Sequence, residues 1–179
     1  MSITYRDAVA GDVNALSYLG RDSFIDAFGH LYSTENLNLF LEQVYSPSAI
    51  ATDIANPDRI HQIAEADGVM LGYCKLGLST SYSEYLDDSH TGRSAMDLMQ
   101  LYLAGGQTGS GIGGALMEWA LAQGRARGYD DVLLSVWSEN FGAQRFYQRY
   151  GFTKIADIYF MVGNHRDDEF LYRLALAQE

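Results

Sequence analysis

Apolar and polar positions alternate from Ser2 to Asp7, which predicts a short strand, and Asp12 then stands as the cap of a helix. Val13, Leu16, Leu19 and the run Phe24 to Phe28 form one apolar stripe on that helix. Ser33 or Thr34 can cap a second helix carrying Leu37, Phe40 and Leu41, and Ser46-Pro47 opens a third that stops near Asn56-Pro57. Such helices could form a movable wall. Arg59 to Ala66 and Val69 to Leu78 are extended runs separated by Asp67-Gly68, a two-residue hairpin signal that predicts an antiparallel pair.

The stretch from Ser79 to Arg93 is rich in Ser, Tyr and Asp without a period, and reads as an exposed loop able to order around a ligand. It carries Tyr82, Glu84, Tyr85, Asp87 and Asp88. Met96 to Leu103 predicts a strand, and after a glycine-rich connection Ile112, Ala115, Leu116, Trp119 and Ala120 mark one face of a helix. Val132 to Val136 is a continuous apolar strand, followed by a helix with Ala143, Phe146, Tyr147 and Tyr150 on one face and Gly151 at its end. Strand, helix, strand, helix implies parallel neighbours. Phe152 to Met161 and Glu169 to Leu176 are two last strands around Gly163-Asn164, closing a mixed α/β sheet. No repeat, low-complexity segment or linker divides residues 1–179, so a single domain is expected.

The sharpest local feature is Leu101-Tyr102-Leu103 followed by Gln107-Thr108-Gly109-Ser110-Gly111-Ile112-Gly113-Gly114, which sets several glycines between a strand and a helix start. Without Cβ atoms the backbone can approach a pyrophosphate, and the unpaired amides and positive dipole end of the helix favour its charge. A tight turn that merely needs flexible residues would read the same way. Gly109, Gly111 and Gly114 also satisfy G-x-G-x-x-G, but the dinucleotide fingerprint belongs in a first strand-to-helix turn with an acidic residue ending the next strand. Here Asp130-Asp131 begin that strand instead, and no Gly-Lys-Ser/Thr follows to make a P-loop.

Composition narrows the partners. Lys and Arg number 12 against 23 Asp and Glu, a formal charge of −11, which disfavours nucleic acid and anionic membrane and suits a small cationic partner. The same acidity could serve solubility alone. Cys74 is the single cysteine and the four histidines lack metal-ligand spacing, so no metal is expected. No signal-peptide pattern opens the chain and no run of about 18 apolar residues occurs, which makes a cytoplasmic location the expectation.

The strand-turn-helix at Leu101 to Gly114 resembles the acetyl-CoA-binding motif of the GNAT superfamily of N-acetyltransferases. A second motif, Asn140-Phe141-Gly142-Ala143-Gln144-Arg145-Phe146-Tyr147-Gln148-Arg149-Tyr150-Gly151-Phe152, is similar to that family's N-x-x-A-x-x-F-Y-x-x-x-G-F. Val136 to Asn140, Tyr159 to Gly163 and Asp168 to Phe170 look like the PaiA-type bacterial polyamine acetyltransferases. One departure concerns the position before the first glycine, usually Gln or Arg in the family, which is Thr108 here, with Gln107 one place earlier.

The resemblance implies a GNAT fold: a central, mostly antiparallel sheet of about seven strands flanked by helices, with a splayed parallel pair forming the acetyl-CoA cleft. It implies acetyl-CoA as cosubstrate, held by Leu101, Tyr102, Leu103, the turn from Thr108 to Gly114 and Asn140, with direct transfer to a primary amine. Tyr147 then matches the tyrosine that protonates the coenzyme A thiolate, although helical spacing alone reads it as a core aromatic. Asn140 contacts cofactor by resemblance and caps a helix by position. Asp97 matches an acidic position of polyamine enzymes, as base or as attractor of the amine, while a solvated strand residue is the bland alternative. Glu84 and Tyr85, with Tyr82, Asp87 and Asp88, could bind distal ammonium groups, and Trp137 could line the acceptor cleft or simply pack. Cys74 reads as a buried small hydrophobe. Homodimerisation is an expectation of the superfamily. A peptide, lysine or aminoglycoside acceptor, and an acetyl-CoA-binding sensor without turnover, are the alternatives.

Overall fold

The structure, a computed structural model, describes residues 2–86 and 92–177. Asp87 and Asp88 lie outside the described residues. Seven strands, β1 (Thr4–Asp7), β2 (Arg59–Ala66), β3 (Val69–Gly77), β4 (Ala95–Leu103), β5 (Asp131–Trp137), β6 (Thr153–Val162) and β7 (His165–Ala175), form one sheet in the order β1-β2-β3-β4-β5-β7-β6. Every pairing is antiparallel except β4 with β5. The helices are α1 (Val13–Phe28), α2 (Thr34–Tyr45), α3 (Pro47–Ala55), α4 (Ile112–Ala126) and α5 (Phe141–Arg149).

Most of the punctuation acts as the sequence implies. Asp67 and Gly68 both take positive φ, 51° and 78°, the geometry a two-residue turn between twisted strands requires. The side chains of Ser33, Ser46 and Asn140 accept from the amides of Asn36, Ala49 and Ala143 at the starts of α2, α3 and α5. Asp12 differs from expectation. Its carboxylate accepts from Val9 N at 2.8 Å and from Arg6, so it caps a short 3-10 turn before α1 and not α1 itself. The last strand begins at His165, earlier than Glu169, because the acidic run alternates: Asp167 and Leu171 turn inward while Asp168 is exposed.

The alternation of β4 and β5 divides the core between two faces. Met96, Leu98, Val132, Leu134 and Val136 pack with Ile112, Leu116, Met117 and Ala120 of α4. Behind the other face, Leu16, Leu19, Phe24, Phe40, Leu41 and Tyr45 of α1 and α2 meet Ile63 and Tyr73. Each such buried aliphatic or aromatic side chain stabilises by about 1.5–3 kcal/mol. The segment after Ser79 is not simply an exposed loop: Tyr82, Tyr85 and Leu86 pack on a small cluster of Ala95, Leu133, Ile158 and Leu171. Its apolar ring faces outweigh the polarity between them.

Close approach fixes one helix position. A Cβ on Gly20 of α1 would stand 2.6 Å from Tyr45 Cδ1 and 3.0 Å from the Tyr73 hydroxyl. Gly20→Ala gains helix propensity but displaces a buried ring, so a net loss of about 1–2 kcal/mol is expected in urea unfolding. A variant as stable as wild type would show that the α1–α2 packing yields at no cost.

Candidate active site

β4 and β5 pair only at Ala95↔Asp131, Met96↔Val132 and Asp97↔Leu133, and then part. A register shift between Lys75 and Leu76 bulges β4 against β3 just beyond Asp97, turning its remaining residues away from β5. The strands therefore open a cleft of about 420 Å³. Phe24 and Phe28 of α1, Tyr32, Phe40 of α2, Trp137 and Phe160 give it an aromatic wall. Phe28 meets Trp137 edge-on with ring centroids 6.0 Å apart, so the helical wall and the end of β5 are in contact.

Leu101 and Tyr102 line the cleft from β4, and the glycine turn follows. Leu101 and Leu103 point their side chains into the α4-side core, while Tyr102 turns the other way towards Tyr73, 5.9 Å between ring centroids. Gly109 and Gly111 take φ of 83° and 88°, and a Cβ on either would meet nothing within 4 Å. Backbone conformation, not crowding, requires glycine there. Gly111 is the residue before α4, whose N-terminus has no side-chain cap, leaving first-turn amides such as those of Gly113 and Gly114 available. Thr108, Gly109 and Ser110 are exposed, whereas Ile112 is fully buried in the core. Ser110 Oγ donates to the Gln107 carbonyl at 2.5 Å and tightens the turn. Uncapped first-turn amides of this kind fit a phosphate group.

Asn140 and Tyr147 line the cleft from the α5 side. The Asn140 side chain is occupied as the helix cap, accepting from Ala143 N at 3.1 Å. Tyr147 is half-buried, its ring 5.5 Å from Phe146 and 5.9 Å from Phe152 between centroids. Burial, with smaller contributions from Cys74 and Tyr102, pushes its phenol well above the ordinary value. Tyr147 thus both packs through its ring and lines the cleft. Cys74 is fully buried, and that burial raises its thiol far above the usual range.

The opposite wall is acidic. Asp97 is 3% exposed, and its Oδ2 accepts from both Ser81 N and Ser81 Oγ at 2.8 Å. Its Oδ1 is buried with no hydrogen-bond partner among the described residues. Burial raises the carboxyl above its usual range against the pull of Ser81 and Thr80. Two acids with no role in the site by sequence alone, Asp167 and Glu169 of β7, face the same cleft. Asp167 accepts from the Tyr32 hydroxyl and lies 3.2 Å from His165 Nε2. Glu169 sits opposite Trp137 in register, and burial raises its carboxyl, offset in part by the Ser135 side chain. Lys75, the cation in the lining, is paired with Asp53. Glu84 is exposed and outside the cleft lining, whereas Tyr85 lines a neighbouring shallow depression with Asp157, Tyr159 and Glu169. No group of three His, Cys, Asp or Glu suited to a metal occurs among the described residues, and no described helix is long and apolar enough to cross a membrane.

A protein-family model described as the acetyltransferase (GNAT) family matches residues 21–152. Over 159 residues the chain is 29% identical to a Lactobacillus delbrueckii subsp. lactis protein described as an uncharacterized N-acetyltransferase in the pepI 3' region, covering 89% of each. Its fold is similar to that of PaiA N-acetyltransferase from Thermoplasma acidophilum, solved in complex with coenzyme A. That likeness has a TM-score of 0.77 at 23% identity over 98% of this chain and 99% of that one. It is similar too to the ribosomal-protein-S18-alanine N-acetyltransferase of Escherichia coli, with a TM-score of 0.70 at 15% identity over 99% and 96% of the two chains.

Proposed function

The chain belongs to the acetyltransferase (GNAT) family and is an acyltransferase; on that premise we propose that it moves an acetyl group from acetyl-CoA to the primary amine of a small cation, a polyamine foremost. In this reading residues 1–179 act as one catalytic domain of the cytoplasm. Acetyl-CoA would supply the acetyl group as a thioester, its pyrophosphate on the turn from Thr108 to Gly114 and its arm along Leu101, Tyr102 and Leu103. The uncapped start of α4 and the positive-φ glycines fit that use. Thr108 is exposed beside them and leaves the backbone to carry the contact. Asn140 borders the arm while holding α5 in place. The similar fold of the PaiA enzyme, solved with coenzyme A, supports this placement.

The observation that carries the cationic acceptor is the unpartnered, buried Oδ1 of Asp97 in an aromatic-walled cleft. A buried acceptor atom without a donor is costly unless a ligand supplies one, and an ammonium supplies up to three N–H groups. Trp137, Tyr32 and the phenylalanines of the wall favour the same cation through their ring faces. Asp97 would draw in the ammonium, which would lose one proton to a carboxylate of the acidic wall, and the neutral nitrogen would attack the acetyl carbon. The C–N bond forms, the C–S bond breaks, and Tyr147 donates its phenolic proton to the sulfur. Tyr85 and its depression leave room for the far end of a long acceptor.

The test is release of free coenzyme A from acetyl-CoA in the presence of spermidine, spermine, short diamines or a lysine peptide. Turnover with the polyamines above that with the peptide is expected, by about tenfold or more in kcat/KM, the worth of one additional charge contact. Equal or greater turnover with the peptide would reject the polyamine acceptor, and binding of acetyl-CoA without turnover of any amine would reject transfer altogether.

A further inference from the structure

We infer that Glu169 is a second catalytic carboxylate, the one through which the acceptor's proton leaves the cleft, with Asp97 as the buried anchor of the ammonium. The inference rests on the amine-acceptor reading above and assigns a division of labour to two acids of one site.

Three placements carry it. First, the register sets Glu169 beside Trp137 at the parted end of β5, so it borders the cleft where β4 and β5 separate. Second, Glu169 lines both this cleft and the neighbouring surface depression, whereas Asp97 lines the cleft alone and is 3% exposed. A proton held at Asp97 has no direct way to solvent, and one held at Glu169 has. Third, Ser81, Tyr82 and Ser135 line the same cleft as the two acids, and Ser81 donates to Asp97. The ammonium gives one proton to the Glu169 carboxylate; its nitrogen keeps the electron pair and forms the new C–N bond. The proton then passes from Glu169 to bulk water, restoring the carboxylate.

Burial keeps Glu169 above the ordinary carboxyl range, which makes it a better proton acceptor than a solvated glutamate. The ionisable groups that share the cleft with it are Asp97, Asp167, Tyr32, Tyr45, Tyr82, Tyr102, Tyr147 and the Asp53-paired Lys75; the outer depression adds Tyr85, Asp157, Tyr159, Arg166 and Asp168, the last two 3.4 Å apart. The charge of Asp167, two residues before it on β7, raises the Glu169 carboxyl further.

The experiment is the pH profile of kcat/KM for the best amine of the panel, measured on wild type, Glu169→Gln and Glu169→Asp. The acid limb, steep in wild type because two carboxylates must be ionised, is expected to lose about one unit of slope in Glu169→Gln. Its kcat should fall about tenfold with the amine KM changed less than about threefold, and Glu169→Asp should recover part of the loss and the steep limb. Coenzyme A affinity, unchanged in both variants, reports an intact fold. Wild-type kcat and slope in Glu169→Gln would overturn the inference while leaving the acceptor reading intact. Absence of turnover with any amine in wild type would sink that reading, and the inference with it.

Discussion

Tyr147→Phe is expected to lower kcat about a hundredfold, with the affinity for coenzyme A unchanged. The hydroxyl is the only atom removed. The ring contacts with Phe146 and Phe152 remain, so the local packing of α5 is kept. Burial raises the phenol above its ordinary value, so the group is protonated through the neutral range, and as the weaker acid it gives up the proton only as charge builds on the departing sulfur. Without it the departing thiolate must take its proton from water that the aromatic wall restricts. The loss should therefore fall on kcat and kcat/KM together, the signature of an interaction made in the transition state. Steady-state rates and calorimetric coenzyme A binding on the same preparation check it. A kcat within about threefold of wild type would leave Tyr147 as packing only.

Asp131→Ala is expected to remove about 3 kcal/mol of stability, read by urea unfolding. Asp131 is fully buried at the start of β5, where Oδ2 accepts from Arg93 Nε at 2.8 Å and Oδ1 from Arg173 Nε at 2.9 Å. One carboxylate thus ties the entry of β4, the start of β5 and the end of β7. Burial would raise its carboxyl, but the two guanidiniums outweigh that and hold it below the usual range. A depressed folded-state value means that this contribution is complete above the unfolded carboxyl value of about 4 and is lost as pH falls through the folded value. The gap between wild type and the variant should accordingly be constant above about pH 5 and narrow below about pH 4. A gap independent of pH would attribute the loss to packing.

Much of this was legible in the sequence because it rests on local chemistry. Asp67-Gly68, Ser33, Ser46-Pro47 and Asn140 carry their own turn or cap geometry, and the seven-stranded sheet follows from the runs between them. The glycine turn is equally local, since only glycine adopts the φ of Gly109 and Gly111 without strain. The acidic wall was not legible. Glu169 reads as the start of a strand and Asp167 lies before it, and the fact that both face the cleft depends on the register of β7 against β5 and β6, which is set elsewhere in the chain. Alternation with Leu171 was the signal available. Phe24, Phe28 and Phe40 lie on helical stripes, and periodicity cannot tell a ring packed on a core from one lining a cleft. Glu84 was not placed by its neighbours either: the tyrosines beside it fold inward and leave it in solvent, outside the cleft lining.

The parting of β4 from β5 has a consequence for the sheet itself. Beyond Asp97 the backbone of β4 is bonded on its β3 side only, which gives the molecule a strand edge in its middle as well as at its rims. An edge is where amide hydrogens trade with deuterium most readily, and here that edge lies beneath an aromatic wall, out of reach of another chain. Labelling should therefore find fast-exchanging amides between Leu98 and Leu103 flanked by slow ones in β3 and α4, an interior seam in an otherwise well-protected sheet.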